Sequence, residues 1–262
     1  HAEQSFLIGA RLLSGALSGA RAGQAYAGLA ETLIGELHKR VGDHFAVDHG
    51  AVAGRGSVVI AMGKLGGREM TAASDLDLIV VYDADKDVKA SSGPKELAVS
   101  QYYARFTQRL VSALSAPTAQ GGLFDVDLRL RPSGQKGPVA TNFESFCAYQ
   151  EREAWVWEHM ALMRARTVAG PQVLQDAVTA EINHVLTVQR NPVSLAAAVR
   201  DMRERIFAEK GTEDIWDLKQ VRGGLVDLEF IAQYLQLRFA ADAPDVLATT
   251  TRTAFEKLAR HD

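Results

Sequence analysis

Hydrophobic residues recur at helical spacing near the start of the chain. Residues 3–47 are rich in Ala, Leu and Gly, and Leu29, Leu33 and Leu37 fall on one face of a helix. This pattern predicts one or two helices over that stretch. Turn-forming residues, with glycine recurring among them, then fill positions 48–56 and separate these helices from the next apolar segment.

Three later segments have the patterns of strands. Residues 57–62 (SVVIAM) form a short apolar run bounded by glycines, which is typical of a central strand covered on both faces. Residues 75–83 (DLDLIVVYD) predict a second strand that opens with alternating acids. Residues 123–131 (LFDVDLRLR) alternate strictly between apolar and polar positions up to Pro132, so they predict a third strand.

Helical patterns fill the remainder of the chain. Residues 97–114 predict an amphipathic helix between the second and third strands. After Pro138 we find no further strand pattern. Helical patterns there cover residues 142–166, 171–188, 192–209, 224–239 and 245–260. We therefore expect an α/β part that ends near residue 140 and an all-helical part after it.

Composition and charge exclude several classes of protein. The 29 Lys and Arg residues nearly balance the 32 Asp and Glu residues, so the net charge of -3 gives no global positive field for nucleic acid or an anionic membrane. No apolar run reaches the ~18 residues that span a bilayer, and the single Cys147 cannot form an internal disulfide. We expect a cytoplasmic protein without nucleic-acid or membrane partners. Because the chain begins with His1, we also expect a piece of a longer protein.

Acidic residues stand at matching places in two of the predicted strands. Asp75 and Asp77 are two residues apart, so both carboxylates lie on one face of their strand. Asp127, with Asp125 beside it, comes from the third strand. Carboxylates this close repel one another unless cations or water lie between them, and Mg²⁺ typically binds one or two carboxylates together with substrate phosphates.

The turn after the first strand adds a second feature. Gly66 and Gly67 would allow a phosphate to approach backbone N–H groups closely. Together with the acids, this turn indicates a two-metal site for displacement at phosphorus. A purely structural role for the acids remains the alternative. The chain has no P-loop motif, which argues against a P-loop ATPase.

Several motifs occur together in one order along the chain. They are residues 63–67 (GKLGG), 74–79 (SDLDLI), 127–134 (DLRLRPSG), 153–159 (EAWVWEH) and 164–166 (RAR). This set resembles the glutamine synthetase adenylyltransferases, the bifunctional adenylylating and deadenylylating enzymes of nitrogen control. The residues around Ser133 and Trp155 resemble the C-terminal, adenylylating unit of that family. Residues 217–230 are similar to the helical domain that the family shares with the uridylyltransferases of PII signalling.

The resemblance implies an α+β fold with two domains. Residues 1–140 would form a polymerase-β-type nucleotidyltransferase domain with N-terminal helices, and residues 141–262 an all-helical bundle domain similar to that of PII uridylyltransferases. The implied activity is two-metal transfer of AMP from ATP to a tyrosine of glutamine synthetase, with Mg²⁺ or Mn²⁺ as cofactor. The alternatives are deadenylylation by phosphorolysis and a non-catalytic module that binds a nucleotide or the PII protein.

The resemblance also assigns roles to residues by position. Asp75, Asp77 and Asp127 would be the catalytic metal ligands, and Asp127 would help to take the proton from the tyrosine hydroxyl. Asp125 is the fallback if the register differs by two. The residues expected to bind the nucleotide phosphates are Lys64, Gly66, Gly67, Ser74, Arg129 and Arg131. For the two arginines, salt bridges to the aspartates are the alternative.

Two further groups of side chains have structural and functional interpretations. Trp155 and Trp157 are expected to pack in a core rather than to stack on an adenine. For Lys219, Asp227 and Glu229, an internal ion-pair network between helices and a nucleotide or effector role are both open.

Overall fold

The computed structural model describes residues 1–119 and 121–261, which form helices and a small mixed sheet. The helices are α1 (Ala2–Leu13), α2 (Gly19–His49), α3 (Gly63–Gly66), α4 (Val99–Ser115), α5 (Phe143–Arg152), α6 (Val156–Leu162), α7 (Gln172–Thr187), α8 (Pro192–Lys210), α9 (Leu225–Phe239) and α10 (Thr251–Leu258). The strands are β1 (Gly56–Ala61), β2 (Leu76–Asp83), β3 (Val126–Asp127), β4 (Thr141–Asn142) and β5 (Arg166–Ala169). This mixture of elements agrees with the predicted α+β class.

The chain forms two compact units that interleave along the sequence. The first comprises His1–Arg152 and Ala165–Glu181, and the second comprises Glu153–Arg164 and residues 182–261. All five strands belong to the first unit, whereas the described residues of the second unit form only helices and loops. The boundary predicted near residue 140 lies inside the first unit. The assignment of separate functional domains on either side of it stays a prediction.

The sheet of the first unit is built around β1 and β2. Its strand order is β3-β2-β1-β5, and β4 also pairs with β2. β1 is antiparallel to both β2 and β5, which confirms its predicted central place, whereas β3 and β4 run parallel to β2. β3 pairs with β2 at Leu76 and Asp77, and β4 pairs with it further along, at Val81 and Tyr82. Two short strands therefore share one edge of β2.

Apolar side chains from β1 and β2 are buried on both faces, as the continuous apolar pattern predicts. Val59 and Val80 belong to the main core, which also contains residues of α2 and α4. Val58 and Ile60 alternate with them and are fully buried as well. In the main core, the ring of Phe45 lies 4.9 Å from that of Tyr102 between ring centroids. The helices predicted over residues 3–47 and 97–114 are confirmed as α1, α2 and α4.

The prediction that no strand follows Pro138 is wrong. β4 and β5 both lie beyond it, and the helix predicted over residues 142–166 is divided into α5 and α6 and ends before β5 begins. β5 has only four residues, RTVA, and its partner β1 lies about a hundred positions earlier in the chain. A local hydrophobic pattern carries no signal for such a pairing, because the strand is specified by the edge that it joins.

The third predicted strand is also much shorter than its alternating pattern indicates. Of residues 123–131, only Val126 and Asp127 pair as a strand. The chain turns after Asp127, because Arg131 donates hydrogen bonds to carbonyl oxygens of the following loop, at Leu128 and Gln135. The arginine thus binds its own loop instead of extending the strand.

Helices of the second unit are joined by ion pairs. The predicted helices over residues 192–209 and 224–239 are confirmed as α8 and α9, and the one over residues 171–188 is confirmed as α7, which begins in the first unit. The helix predicted over residues 245–260 is shortened to α10, which follows a turn of 3-10 helix. Arg203 of α8 pairs with Asp227 of α9, and Arg164 lies 3.6 Å from Glu229. The ion-pair interpretation therefore holds for Asp227 and Glu229. None of the described helices combines the length and apolar character that a membrane span requires.

The core position predicted for Trp155 is wrong. Trp155 precedes α6 and is 70% exposed. Glu158 explains this position, because its carboxylate accepts a hydrogen bond from the Trp155 backbone amide at 2.8 Å and so begins the helix there. The capping interaction fixes the backbone of Trp155 and leaves its ring in solvent.

We expect Phe45→Ala to lower the free energy of unfolding by about 3–5 kcal/mol, because it removes a fully buried ring from the main core and leaves a cavity. Urea unfolding followed by far-UV circular dichroism measures the change. Phe6, which is 74% exposed, provides the matched control. Phe6→Ala should change stability by no more than about 0.5 kcal/mol, and equal losses in the two variants would contradict the expectation.

Candidate metal centre

Three carboxylates converge where β2 begins. Asp77 lies in β2 and is paired in parallel register with Asp127 of β3, while Asp75 immediately precedes β2. One carboxylate oxygen from each residue lies within 4.8 Å of the other two. Asp75 is exposed, and Asp77 and Asp127 are half-buried. The structure thus brings together the three acids that the sequence proposes as metal ligands.

The fallback residue Asp125 lies outside this cluster. Its side chain is exposed, and its backbone carbonyl accepts a hydrogen bond of 2.8 Å from the amide of Leu76. This bond belongs to the pairing that sets Asp127 opposite Asp77. The register of β3 therefore favours Asp127 over Asp125 as the third acid.

The three acids differ in their electrostatic surroundings. Burial, together with the negative charges of Asp75 and Asp127, raises the pKa of Asp77 to about 6. Hydrogen bonds from Arg129 hold the pKa of Asp127 below its ordinary value in spite of partial burial. A cation beside Asp77 would relieve the repulsion that raises its pKa. A cluster of carboxylate oxygens with this property fits a hard divalent ion such as Mg²⁺.

Arg129 provides the nearest positive charge in the structure. Its Nε donates to Asp127 Oδ2 at 2.6 Å, and its backbone amide donates to Asp127 Oδ1 at 2.7 Å. The guanidinium side chain is otherwise 70% exposed. The salt-bridge alternative for Arg129 is therefore realised, and its exposure leaves the group accessible to a phosphate.

Arg131 donates its hydrogen bonds within its own loop, and its contact with phosphate stays a prediction. Its side chain is 9% exposed and donates to the carbonyl oxygens of Leu128 at 2.8 Å, Gln135 at 3.2 Å and Gly137 at 3.3 Å. These bonds use the guanidinium within the loop that follows β3. Arg131 thus stabilises this loop.

The glycine turn also differs from the expected phosphate cradle. Residues 63–66 form the short helix α3, and the amides of Gly66 and Gly67 donate to the carbonyl oxygens of Met62 and Gly63. Both glycines are buried. These two amides have acceptors inside the turn, and the contact of Gly66 and Gly67 with phosphate stays a prediction.

Gly63 is the glycine on which the position of the Asp77 carboxylate depends. Its backbone φ is +53°, and a Cβ built on it would lie 2.2 Å from Asp77 Oδ2. Any side chain at this position would displace the carboxylate of Asp77. Sequence reasoning assigned the function of the turn to Gly66 and Gly67 and missed Gly63, although a glycine directly after a buried strand was a signal for a close approach.

Lys64 and Ser74 both precede the cluster in the chain. Ser74 is buried, and its Oγ accepts a hydrogen bond of 2.9 Å from the amide of Thr71, so it closes the turn that leads to Asp75. Lys64 is exposed on α3. Against the effect of burial, the charges of Arg129 and then Lys64 act to lower the pKa of Asp77. Contacts of Ser74 and Lys64 with phosphate stay predictions.

A pair of distant residues holds the glycine turn in place. Arg166 of β5 donates from Nε to the carbonyl oxygen of Gly66 and from Nη2 to that of Leu65, both at 3.2 Å. Arg166 also forms an ion pair with Glu31 of α2. Glu31 forms a second ion pair with Arg68, in which the nitrogen and oxygen atoms lie 3.1 Å apart. Sequence reasoning missed this role, because the participants lie far apart in the chain and their contacts belong to no local motif.

Comparison with known proteins gives a family and several close relatives. A family model described as glutamate-ammonia ligase adenylyltransferase matches residues 1–181. A protein of Rhodopseudomonas palustris is 50% identical over 258 residues, and one of Xanthobacter autotrophicus is 54% identical over 259 residues; each alignment covers 98% of this chain and 26% of the relative. A Brucella suis relative is 54% identical over 236 residues, covering 90% of this chain and 24% of its own length.

These relatives carry the same name, bifunctional glutamine synthetase adenylyltransferase/adenylyl-removing enzyme. The chain spans about a quarter of their length. The family match covers more than half of the chain and includes all three acids of the metal centre. This chain therefore belongs to the glutamate-ammonia ligase adenylyltransferase family.

Proposed function

We propose that the chain transfers AMP from ATP to a tyrosine of glutamine synthetase at the cluster of Asp75, Asp77 and Asp127. The convergence of these carboxylates within 4.8 Å carries the proposal. The names of the relatives supply the adenylyl group and glutamine synthetase as its acceptor. We also propose the polymerase-β-type nucleotidyltransferase fold for the first unit, because its mixed sheet presents acids from neighbouring strands at one place.

Asp75, Asp77 and Asp127 would hold the divalent ions. Mg²⁺, or Mn²⁺ in its place, suits a set of carboxylate oxygens that leaves room for phosphate oxygens and water. Bound there, the ions would neutralise charge on the triphosphate and activate the attacking oxygen. Burial first, and then the negative charges of Asp75 and Asp127, raise the pKa of Asp77, and a cation bound beside it would offset both effects.

In the transfer, the tyrosine oxygen forms a bond to the α-phosphorus of ATP. The bond from that phosphorus to the oxygen that bridges to the β-phosphate breaks, and pyrophosphate leaves with the electron pair. Asp127 takes the proton of the tyrosine hydroxyl on a carboxylate oxygen. While Arg129 is bound to Asp127, the arginine lowers the pKa of the carboxyl group and so makes Asp127 a weaker base. We propose that the exposed guanidinium moves to the phosphates when ATP binds.

Removal of AMP is the second candidate function, because the relatives' names include an adenylyl-removing activity. In that direction a phosphate oxygen would form a bond to the phosphorus of the tyrosine-linked AMP, and the bond from that phosphorus to the tyrosine oxygen would break. ADP would be released, and the tyrosine oxygen would take up a proton. The transfer direction is favoured by the residues around Ser133 and Trp155, which resemble the adenylylating unit of the family. The same proposal includes the PII protein as a partner of the helical domain predicted at residues 141–262. It also includes the cytoplasm as the location of the protein.

Binding of Mn²⁺ without nucleotide tests the metal centre directly. We expect Asp77→Asn to weaken Mn²⁺ binding by at least about tenfold, because it removes a charged ligand from the centre of the cluster. Electron paramagnetic resonance of free Mn²⁺ measures the affinity. Asp125→Asn is the matched control, since it removes an equal charge two residues from Asp127 but outside the cluster. Equal affinities of the two variants would contradict the assignment.

Labelling of glutamine synthetase with ATP that carries a radioactive α-phosphate tests the activity. We expect Asp77→Asn to lower the labelling rate by at least about 100-fold, because the charge that develops at the α-phosphate loses its stabilisation. Asp125→Asn should keep the rate. If the chain instead releases the label of previously adenylylated glutamine synthetase as ADP after phosphate is added, the removing direction is assigned. Binding of ATP without either reaction would overturn both in favour of a regulatory module.

The salt bridge of Arg129 gives a test with two opposite readouts. We expect Arg129→Gln to bind Mn²⁺ about tenfold more tightly in the absence of nucleotide, because the guanidinium no longer competes for Asp127. The same variant should bind ATP more weakly, because a phosphate-binding group is lost. Calorimetric titration measures both affinities. A variant in which the two affinities fall together would refute the proposed movement of Arg129.

A further inference from the structure

A cavity of about 500 Å³ lies in the second unit, between α8, α9 and the loop before α9. This volume falls in the range of small-molecule sites, about 300–1,000 Å³. Most of its lining is apolar and includes Val199, Phe230 and Ile231, of which Ile231 is 49% exposed. Charged groups from both helices and from the loop also reach its wall. The cavity thus combines an apolar surface with a few charges, as ligand sites do.

Arg203 is the most buried of these charged groups, with 6% of its surface exposed. Its Nε pairs with Asp227, which also accepts a hydrogen bond from the amide of Gly223. In the part of the chain that the structure describes, the terminal nitrogens Nη1 and Nη2 of Arg203 are buried and have no hydrogen-bond partner. Four N–H donors are therefore unsatisfied, and leaving a buried charged donor unpaired is costly.

A second arginine lies against the same aromatic ring. Arg222 lies over the ring of Phe207 at 3.9 Å from its centroid, and Arg203 lies over that ring at 5.4 Å. Arg222 Nη2 donates to Glu204 at 2.6 Å, so its charge has a partner. Two guanidinium groups beside one ring repel each other, and an anion near them would lower this repulsion.

The balance of charges in the wall favours one negative charge on the occupant. Three arginines line the cavity, Arg200, Arg203 and Arg222, against the two carboxylates of Glu204 and Asp227. One positive charge is therefore in excess. A monoanion would balance it, whereas a phosphate monoester, which is close to a dianion at neutral pH, would leave a negative excess.

We propose that this cavity binds a small carboxylic acid as its monoanion, with the carboxylate on Nη1 and Nη2 of Arg203. The planar edge of a guanidinium that carries these two nitrogens matches the two oxygens of a carboxylate. The rest of the molecule lies against Val199 and Ile231 and is apolar. The site goes beyond the proposed transfer of AMP, since it uses none of the residues of the metal centre.

Binding of 3-phenylpropionate to the whole chain tests this site, with 3-phenylpropanamide as the neutral control of nearly equal shape. We expect saturable binding of the acid with a dissociation constant of a few millimolar, the affinity typical of a ligand of this size. Backbone amide NMR shifts measure it. The shifts should centre on residues that line the cavity, and the amide should bind at least about tenfold more weakly.

Two variants connect the binding to the cavity. Ala196→Trp should abolish it, because Ala196 is an exposed residue of the cavity wall and a large ring there fills the space. Val193→Trp is the matched control on the same helix, since Val193 is 79% exposed and is not part of the wall. Arg203→Lys should weaken binding about tenfold, because lysine lacks the planar pair of donors.

Three results would overturn the proposal. The first is the absence of saturable binding at about ten times the expected dissociation constant. The second is equal binding of the acid and the amide, which would assign the unpaired nitrogens of Arg203 to ordered water. The third is unchanged binding in Ala196→Trp. If Arg203→Lys fails to fold by circular dichroism, Ala196→Trp and its control Val193→Trp decide the question, because neither alters a charge.

Discussion

Repulsion among three carboxylates is the physical constraint around which the first unit is organised. Asp77 and Asp127 face each other only because β3 pairs in parallel with the first residues of β2. The opposed acids gain no stability from each other, so the register must be held by hydrogen bonds and by burial elsewhere in the sheet. Five of the six residues of β1 are buried, and β1 pairs in antiparallel register with β2 and β5. This pairing stabilises the sheet that carries the acids.

The neighbours of the acids reduce this repulsion or keep space free for a ligand. The exposed side chain of Arg129 neutralises the charge of Asp127. Gly63 has no side chain and so leaves space for the carboxylate of Asp77. Arg166 and Glu31 hold the turn that contains Gly63. These four residues come from four different segments of the chain. The geometry of the centre is therefore a property of the folded unit and cannot be assigned to one motif.

The elements with clear local hydrophobic patterns were predicted correctly from the sequence. β1, β2, α2 and α4 have strong periodicity, and the spacing of Asp75 and Asp77 brings both carboxylates to one place. Hydrogen-bond partners could not be predicted from the sequence, because composition does not show where a donor points. Arg131 and the amide of Gly67 are donors of the expected kind, yet each finds an acceptor within its own loop. Pairings over long distances, such as that of β5, gave no local signal.

The interleaving of the two units has a consequence for how the chain is made and rearranged. The segment Glu153–Arg164 belongs to the second unit, and β5 returns to the first unit only after it. During synthesis, one edge of β1 therefore stays open until β5 leaves the ribosome. A gene fusion or recombination that exchanged either unit as one continuous stretch would separate β5, and Arg166 with it, from the sheet that they complete. An exchange that keeps the sheet complete must therefore carry Glu153–Arg164 of the second unit together with the first unit.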